Sequence, residues 1–459
     1  MGFRVKLVAS ALALALAAGT VGGAQAQSIT QALTIAYDHA PDLQSALLSA
    51  KSSAENVALA QAGKRPRIGA AVGGTYSWSA GQVSAGNPTG AFADSQLYTA
   101  GISYDQTIFD NYKTEAQVEA ARAGAEAAEY QIRNTEQNVL LAVVQAYMSV
   151  LSGRQLVSVR QENLTFFQAQ LQSAQDRLDV GEGTRIDVAQ AQARLAQGDA
   201  SYRAAVSALE ISQATFQRYV GVAPQSLDAS HNYGRLIPRT LQAAMSEAEV
   251  GHPAILLSKA AIRAAQAGSD AAEAAFGPSA SVSGSVGTGY SNIGGSQGIS
   301  GKLGFSISVP LYAGGAIGAN VRKANIEQIK SEVDAMSAYD KIREAVISAW
   351  AGIQSAEAGI TAANAAVTAG RTVLDGVIQE RDLGTRTTLD VLNAQAELTT
   401  AREGLINASS NKVIATFSLL SAMGRLTATD LGLSVQVKSA VRYNQAVDDV
   451  WQELRTVAD

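Results

Sequence analysis

Apolar residues step by three and four along most of the chain, and in two places that stepping gives way to strict alternation. Over residues 28–64, Leu43, Leu47, Leu48 and Val57 mark one face of a helix, which Pro66 ends. Ile68, Ala70, Val72, Gly74, Tyr76 and Trp78 then fall on one side of a strand. After the Gly/Ser/Asn/Pro-rich loop 80–95, Tyr98, Ala100, Ile102, Tyr104, Gln106 and Ile108 alternate back. Each arm is about as long as the ~9–11 residues of a membrane-crossing strand. From Tyr112 to Val180 no proline occurs, and the pattern predicts helix with a jog near Ser152-Gly153. Leu164, Phe167, Leu171, Ala174 and Leu178 form a heptad seam that resumes after residues 181–183 with Leu195, Gly198, Tyr202, Ala205 and Leu209. A helix of that length reaches roughly 100 Å at ~1.5 Å per residue. No single globular domain needs such a reach.

The order then recurs. A helix is predicted over 240–275, and Ala280, Val282, Gly284, Val286 and Tyr290 alternate toward a shorter loop, 291–299. Leu303, Phe305, Ile307, Val309 and Leu311 return, and helices follow over 316–383 and 387–424. Shifted by 203 positions, Gly181, Asp187, Val188 and Leu195 fall on Gly384, Asp390, Val391 and Leu398. Phe109, Tyr147 and Gly221 likewise fall on Tyr312, Trp350 and Gly424. Nearer the N-terminus the shift is 212, placing Pro41 on Pro253 and Pro66 on Pro278, so the longer first loop absorbs an insertion. The chain reads as a tandem duplication. The expected organisation is a leader (1–26), a first repeat (27–239, with strand hairpin 67–109 and helical hairpin 112–220), and a second repeat (240–424, with strand hairpin 279–312 and helical hairpin 316–424). A mixed, partly helical tail, 425–459, completes it.

Composition narrows the setting. Arg4 and Lys6 precede an apolar run and a small-x-small site at Ala24-Gln25-Ala26, the pattern of a secretory signal. Removing that leader moves the formal charge from −5 to −7, which argues against nucleic acid as a partner. The chain has no cysteine, so an exported protein of this size must hold by packing or assembly. Catalysis finds little support. The three histidines, His39, His231 and His252, have no metal-ligand spacing, and no serine sits in a nucleophile elbow. No cofactor is predicted. His39 and His252 lie just before the repeated prolines, which predicts a helix-start role in each copy.

Four amphipathic strands cannot close a barrel, and open edges are not tolerated in lipid. The strands therefore demand oligomerisation: two chains would give a plugged pore, and three would give twelve strands and a lumen. Tyr76, Trp78 and Tyr290 near the loops, with Phe109 and Tyr312 near the helices, have the placement of interfacial aromatic girdles. A soluble hairpin pair packed on helices has no use for that placement. An exported trimeric coiled-coil structural protein or adhesin is the other reading. It would share the leader and heptads, but not two alternating hairpins enclosed between helices.

Helix, strand hairpin and long helical hairpin, twice over, resemble the TolC family of outer-membrane export ducts. Gly384-Thr385-Arg386 with Leu389-Asp390-Val391-Leu392, and Val309-Pro310-Leu311-Tyr312-Ala313-Gly314-Gly315, are similar to that family's second repeat. The resemblance implies a mostly α protein with membrane β: a homotrimer whose twelve-stranded β-barrel continues into a twelve-helix coiled-coil α-barrel. It implies a location in the outer membrane with a long periplasmic extension. It also implies a passive conduit for type I secretion or drug efflux, docked to a periplasmic adaptor and an inner-membrane ABC or proton-driven transporter. Docking would fall on the tips, at Gly181, Gly183, Thr184, Gly384 and Thr385. In the family, polar links shut the tips. Carried over by position, Arg386 is the cation, Asp187 a candidate partner, and Asp390 an acidic residue one turn inside. Arg381 stands where the family prototype has a tyrosine, and Asn393 where it has a pore-ring aspartate. Asp187 is equally readable as a partner of its own helix dipole.

Overall fold

A computed structural model describes residues 27–80, 92–228, 230, 232–292 and 297–447. The leader, the interiors of both expected loops, His231 and the end of the tail lie outside the described residues. In order come α1 (Ile29–His39), α2 (Pro41–Gln61), β1 (Arg67–Ala80), β2 (Phe92–Phe109), α3 (Lys113–Asp179) and α4 (Arg185–Val220). Then follow α5 (Leu241–Gly251), α6 (Pro253–Glu273), β3 (Ser279–Ser291), β4 (Gln297–Ser308), α7 (Ala316–Asp382), α8 (Thr388–Ala422) and α9 (Val441–Val447).

Three expectations of continuity need correction. The helices expected over 28–64 and 240–275 are each two, broken before Pro41 and Pro253. A residue preceding proline is pushed out of the helical region, and Ala40 (ψ 111°) and His252 (ψ 126°) both lie outside it. Each proline then opens the next helix at its first position, where its missing N–H costs nothing. Conversely, the jog expected near Ser152-Gly153 is absent, and α3 runs unbroken for 67 residues. Gly153 is there for closeness: a Cβ would lie 3.2 Å from Leu209 Cδ1 of α4. β4 also stops at Ser308, short of the expected 312, because Pro310 cannot donate to a ladder.

The helical part carries the core. Leu33, Ala36 and Tyr37 of α1, Leu140, Val143, Val144 and Tyr147 of α3, and Phe417, Leu419 and Leu420 of α8 are fully or almost fully buried together. By composition α3 has a stretch apolar enough to cross a bilayer, but it supplies this core. The Tyr147 hydroxyl accepts from Asp228 N–H at 2.8 Å, tying the connection after α4 back to the shaft. The segment 425–447 straps across α3, where buried Glu136 accepts from Ala428 N–H at 2.6 Å and Glu129 from Ala440 N–H at 2.8 Å. Burial pushes the Glu136 carboxyl above its ordinary range.

The four strands form one antiparallel sheet in the order β1-β2-β3-β4. Its registers pair Ile68 with Tyr104, Val72 with Ala100, Ile102 with Val286, and Val282 with Phe305. Directly paired residues share a face, so one face gathers the aliphatic and aromatic side chains. The other gathers Gly, Ser and Thr, as in Gly69↔Ser103, Gly73↔Thr99 and Ser283↔Gly304.

Candidate functional site

Two surfaces carry the chemistry: the sheet, and the tips at the far end of the helices. On the sheet, Val72 is 88% exposed, Ile299 84% and Leu303 83%, although all three are large and apolar. Tyr76, Trp78 and Tyr290 stand exposed on the same face near the loop end. A bulge between Thr107 and Phe109 returns Phe109 to that face, where its ring meets Tyr112 edge-on at 5.9 Å, and Tyr312 stands exposed beyond it. All five aromatic residues picked out by the sequence therefore lie at the ends of an apolar band. Such a face is unstable in water and suited to hydrocarbon. β1 and β4 each leave an unpaired edge.

The tips share one backbone solution. After α3, Gly181 adopts φ +82° and Glu182 N–H donates back to Arg177 O at 2.8 Å. After α7, Gly384 adopts φ +80° and Thr385 N–H donates to Glu380 O at 2.9 Å. Both are Schellman ends, which need the left-handed residue that glycine supplies. The following helix opens in a capping box. Thr184 N–H donates to Asp187 Oδ2 at 3.1 Å and Asp187 N–H donates to the Thr184 hydroxyl at 3.2 Å. Thr387 and Asp390 repeat this at 2.9 and 3.2 Å. The Thr387 N–H, then its hydroxyl, hold the Asp390 carboxyl below the usual carboxylate range.

The cations differ from that symmetry. Arg386 donates to Glu380 Oε2 at 2.8 Å, which raises its pKa. Arg381 is only 11% exposed and donates to Gln170 Oε1 of α3 at 2.6 Å. Arg194 of α4 donates to Asn393 Oδ1 at 2.9 Å. Within one chain, then, Asp187 engages Thr184 and Arg386 engages Glu380, and the two are not brought together. Glu380, Gln170 and Arg194 are contact partners of these residues that the sequence reading did not name. Only the position of Glu380, just across the turn from Arg386, could have revealed one of them. Further along the shaft, the α3–α8 seam is also polar. Arg160 pairs with Glu403, Arg402 with Glu162, and buried Gln395 and Thr399 each donate to Asn163 Oδ1 at 3.1 Å.

Among the described residues no group of His, Cys, Asp and Glu could hold a metal ion. His252 caps α6, its Nδ1 accepting from Ala254 N–H at 3.1 Å, and burial pushes its pKa down to about 4. His39 does not cap α2, contrary to expectation. It ends α1 instead, with its ring against Gly221.

A lipid-suited sheet at one end of a long helical shaft, with polar turns at the other, defines an outer-membrane export channel. The chain belongs to the outer membrane efflux protein family, whose model matches residues 32–222 and 244–425. It is 36% identical over 426 residues to the outer membrane efflux protein BepC of Brucella suis biovar 1 (strain 1330), covering 91% of this chain and 90% of that protein. It is 26% identical to the outer membrane protein TolC of Escherichia coli (strain K12), covering 85% and 81% of the two chains. The crystal structure of the Campylobacter jejuni CmeC outer membrane channel superposes with a TM-score of 0.75 at 17% identity, covering 92% and 90%.

Proposed function

We propose that three copies of this chain close their sheets into a twelve-stranded barrel and their helices into a tunnel, making a passive exit duct. The observation that carries this reading is the sheet: an apolar exposed face with two unpaired edges, which lipid cannot accept unless neighbours pair them. α7 supports it independently. Ile326, Ile329, Val333 and Met336 stand exposed at spacings of three and four, a seam left uncovered among the described residues. The residues 27–239 and 240–424 act as two structural repeats of one protomer.

The same reading gives the tips their work. Val180 and Ile186 on the first tip, and Leu383 and Leu389 on the second, are exposed apolar knobs flanking Gly181 and Gly384. They suit docking by a periplasmic adaptor and an inner-membrane transporter. Arg381, Arg386, Asp187 and Asp390 hold the closed state, and Asn393 lines the narrowing. Mass photometry of the detergent-extracted protein tests this directly. A single trimeric species is expected, and a stable folded monomer would overturn the barrel.

A further inference from the structure

The expected leader ends at Ala26, which makes Gln27 the first residue of the exported chain. Chain ends are commonly loose, but this one is tied down through both of its backbone groups. Gln27 forms a parallel bridge with Leu227, and its N–H donates to Ser226 O at 2.6 Å. Its carbonyl accepts from the Tyr147 hydroxyl at 2.6 Å and from Asp228 N–H at 3.4 Å. The second copy has Trp350 in place of Tyr147, and no chain end there to hold.

The setting is a poor one for an ammonium. Ser28 is the N-cap of α1, so the terminal amine stands beside the positive end of that helix. Gln27 also borders a cavity of about 670 Å³ with Thr30, Thr34, Gln225 and Ser434, and among the described residues no acidic side chain lines it. The Asp228 carboxylate, next along the bridge, accepts instead from Ser230 N–H at 3.0 Å. Ser226 O needs one N–H, whereas an ammonium brings three. The side chain fares no better in its open form. Gln27 Oε1 is buried and accepts from nothing among the described residues, which is costly for an amide oxygen.

We infer that Gln27 is a modification site: its α-amine closes on its own side chain, and the resulting pyroglutamyl lactam is held by segment 226–228 and Tyr147. The amine, nucleophilic when neutral, attacks Cδ. The N–Cδ bond forms, the Cδ–Nε2 bond breaks, and ammonia leaves with one of the amine's protons. The step needs neither oxidant nor cofactor. The lactam is uncharged and keeps the single N–H that Ser226 O accepts. The inference rests on the leader boundary and is independent of the duct reading.

Intact-mass spectrometry of the freshly extracted protein tests it. The expected mass is that of residues 27–459 less one ammonia, with no free α-amine to label. Gln27→Asn should keep both the ammonia and a reactive amine, because its shorter side chain would have to close a four-membered ring. Pyroglutamyl aminopeptidase should leave the folded protein intact and expose Ser28 only after denaturation and dilution. A free amine on Gln27 overturns the inference, as does an equal loss of ammonia from Gln27→Asn. Equal cleavage of folded and denatured protein overturns it as well, since nothing then holds the lactam. A chain that begins at another residue overturns it by removing the leader boundary, a failure that its mass tells apart.

Discussion

At the first tip Gly181 stands at φ +82° and at the second Gly384 at φ +80°, and a Thr–Asp capping box follows each. Around that shared frame several positions differ, and three of them carry the contacts: Arg177, Leu178 and Gly183 in the first copy stand where Glu380, Arg381 and Arg386 stand in the second. The second tip thereby gains an ion pair across its own turn and a mostly buried cation reaching α3. Among the described residues the first tip has neither. Glycine, threonine and aspartate are kept because the backbone needs a left-handed residue and a cap there. The surrounding charges carry no such demand, so one hairpin was free to acquire polar links that the other lacks. The histidines divide in the same way, His252 capping α6 while His39 only packs on Gly221.

The largest effect expected from this asymmetry is at His252. Its folded pKa of about 4 lies below the ordinary 6.5, so the unfolded chain takes up the proton first. Its contribution is therefore complete above about pH 6.5 and is lost as pH falls toward 4, up to ~3 kcal/mol in all. Urea unfolding at pH 7 and pH 4.5 should show that loss, and His252→Asn, which keeps a cap, should flatten it. His39→Asn should leave the slope in place. An unchanged slope in His252→Asn would remove the distinction between the two histidines.

Next in size is Arg381. Arg381→Leu makes the second tip resemble the first and removes a charged hydrogen bond contributing about 2 kcal/mol. Single-channel conductance in planar bilayers should rise several-fold. Gln170→Leu should raise it less, because Arg381 keeps its pair with Asp382 Oδ1 at 2.8 Å, and the double variant should match Arg381→Leu alone. Additive effects would mean that Arg381 acts through something else. Arg386→Ser should raise conductance less, since its pair with Glu380 is half exposed and screened.

The smallest effects should be equal ones. Thr184→Ala and Thr387→Ala each remove one N-cap and should each lower the local opening free energy of the following helix by ~1 kcal/mol, read by amide hydrogen exchange. A clear inequality would show that the two frames are not equivalent after all.

Periodicity made the strands, the long helices and the tips legible, because alternation and three–four stepping act over many residues. It blurred where one residue decides. Pro41 and Pro253 break helices whose apolar pattern runs on across the break, and Gly153 bends nothing because it serves contact with Leu209. The aromatic bands were readable because a strand's register follows from its alternation. The partners Gln170 of Arg381 and Arg194 of Asn393 were not, since they lie about 200 positions away and depend on how the hairpins pack. The strap's hold on Glu129 and Glu136 was hidden for the same reason: the bonds go to backbone N–H groups, which leave no mark in the sequence.

The sheet also sets an order of events. The helical half owns a buried core, so a lone chain can fold it in an aqueous compartment. The sheet has no counterpart: its face is apolar and exposed, and on the proposed duct reading that face and both edges wait for lipid and for other copies. Between export and insertion each chain is thus half finished, adhesive along two strands and one face. That interval, rather than the finished duct, is where crowding, delay or a missing escort would turn the same surface toward aggregation.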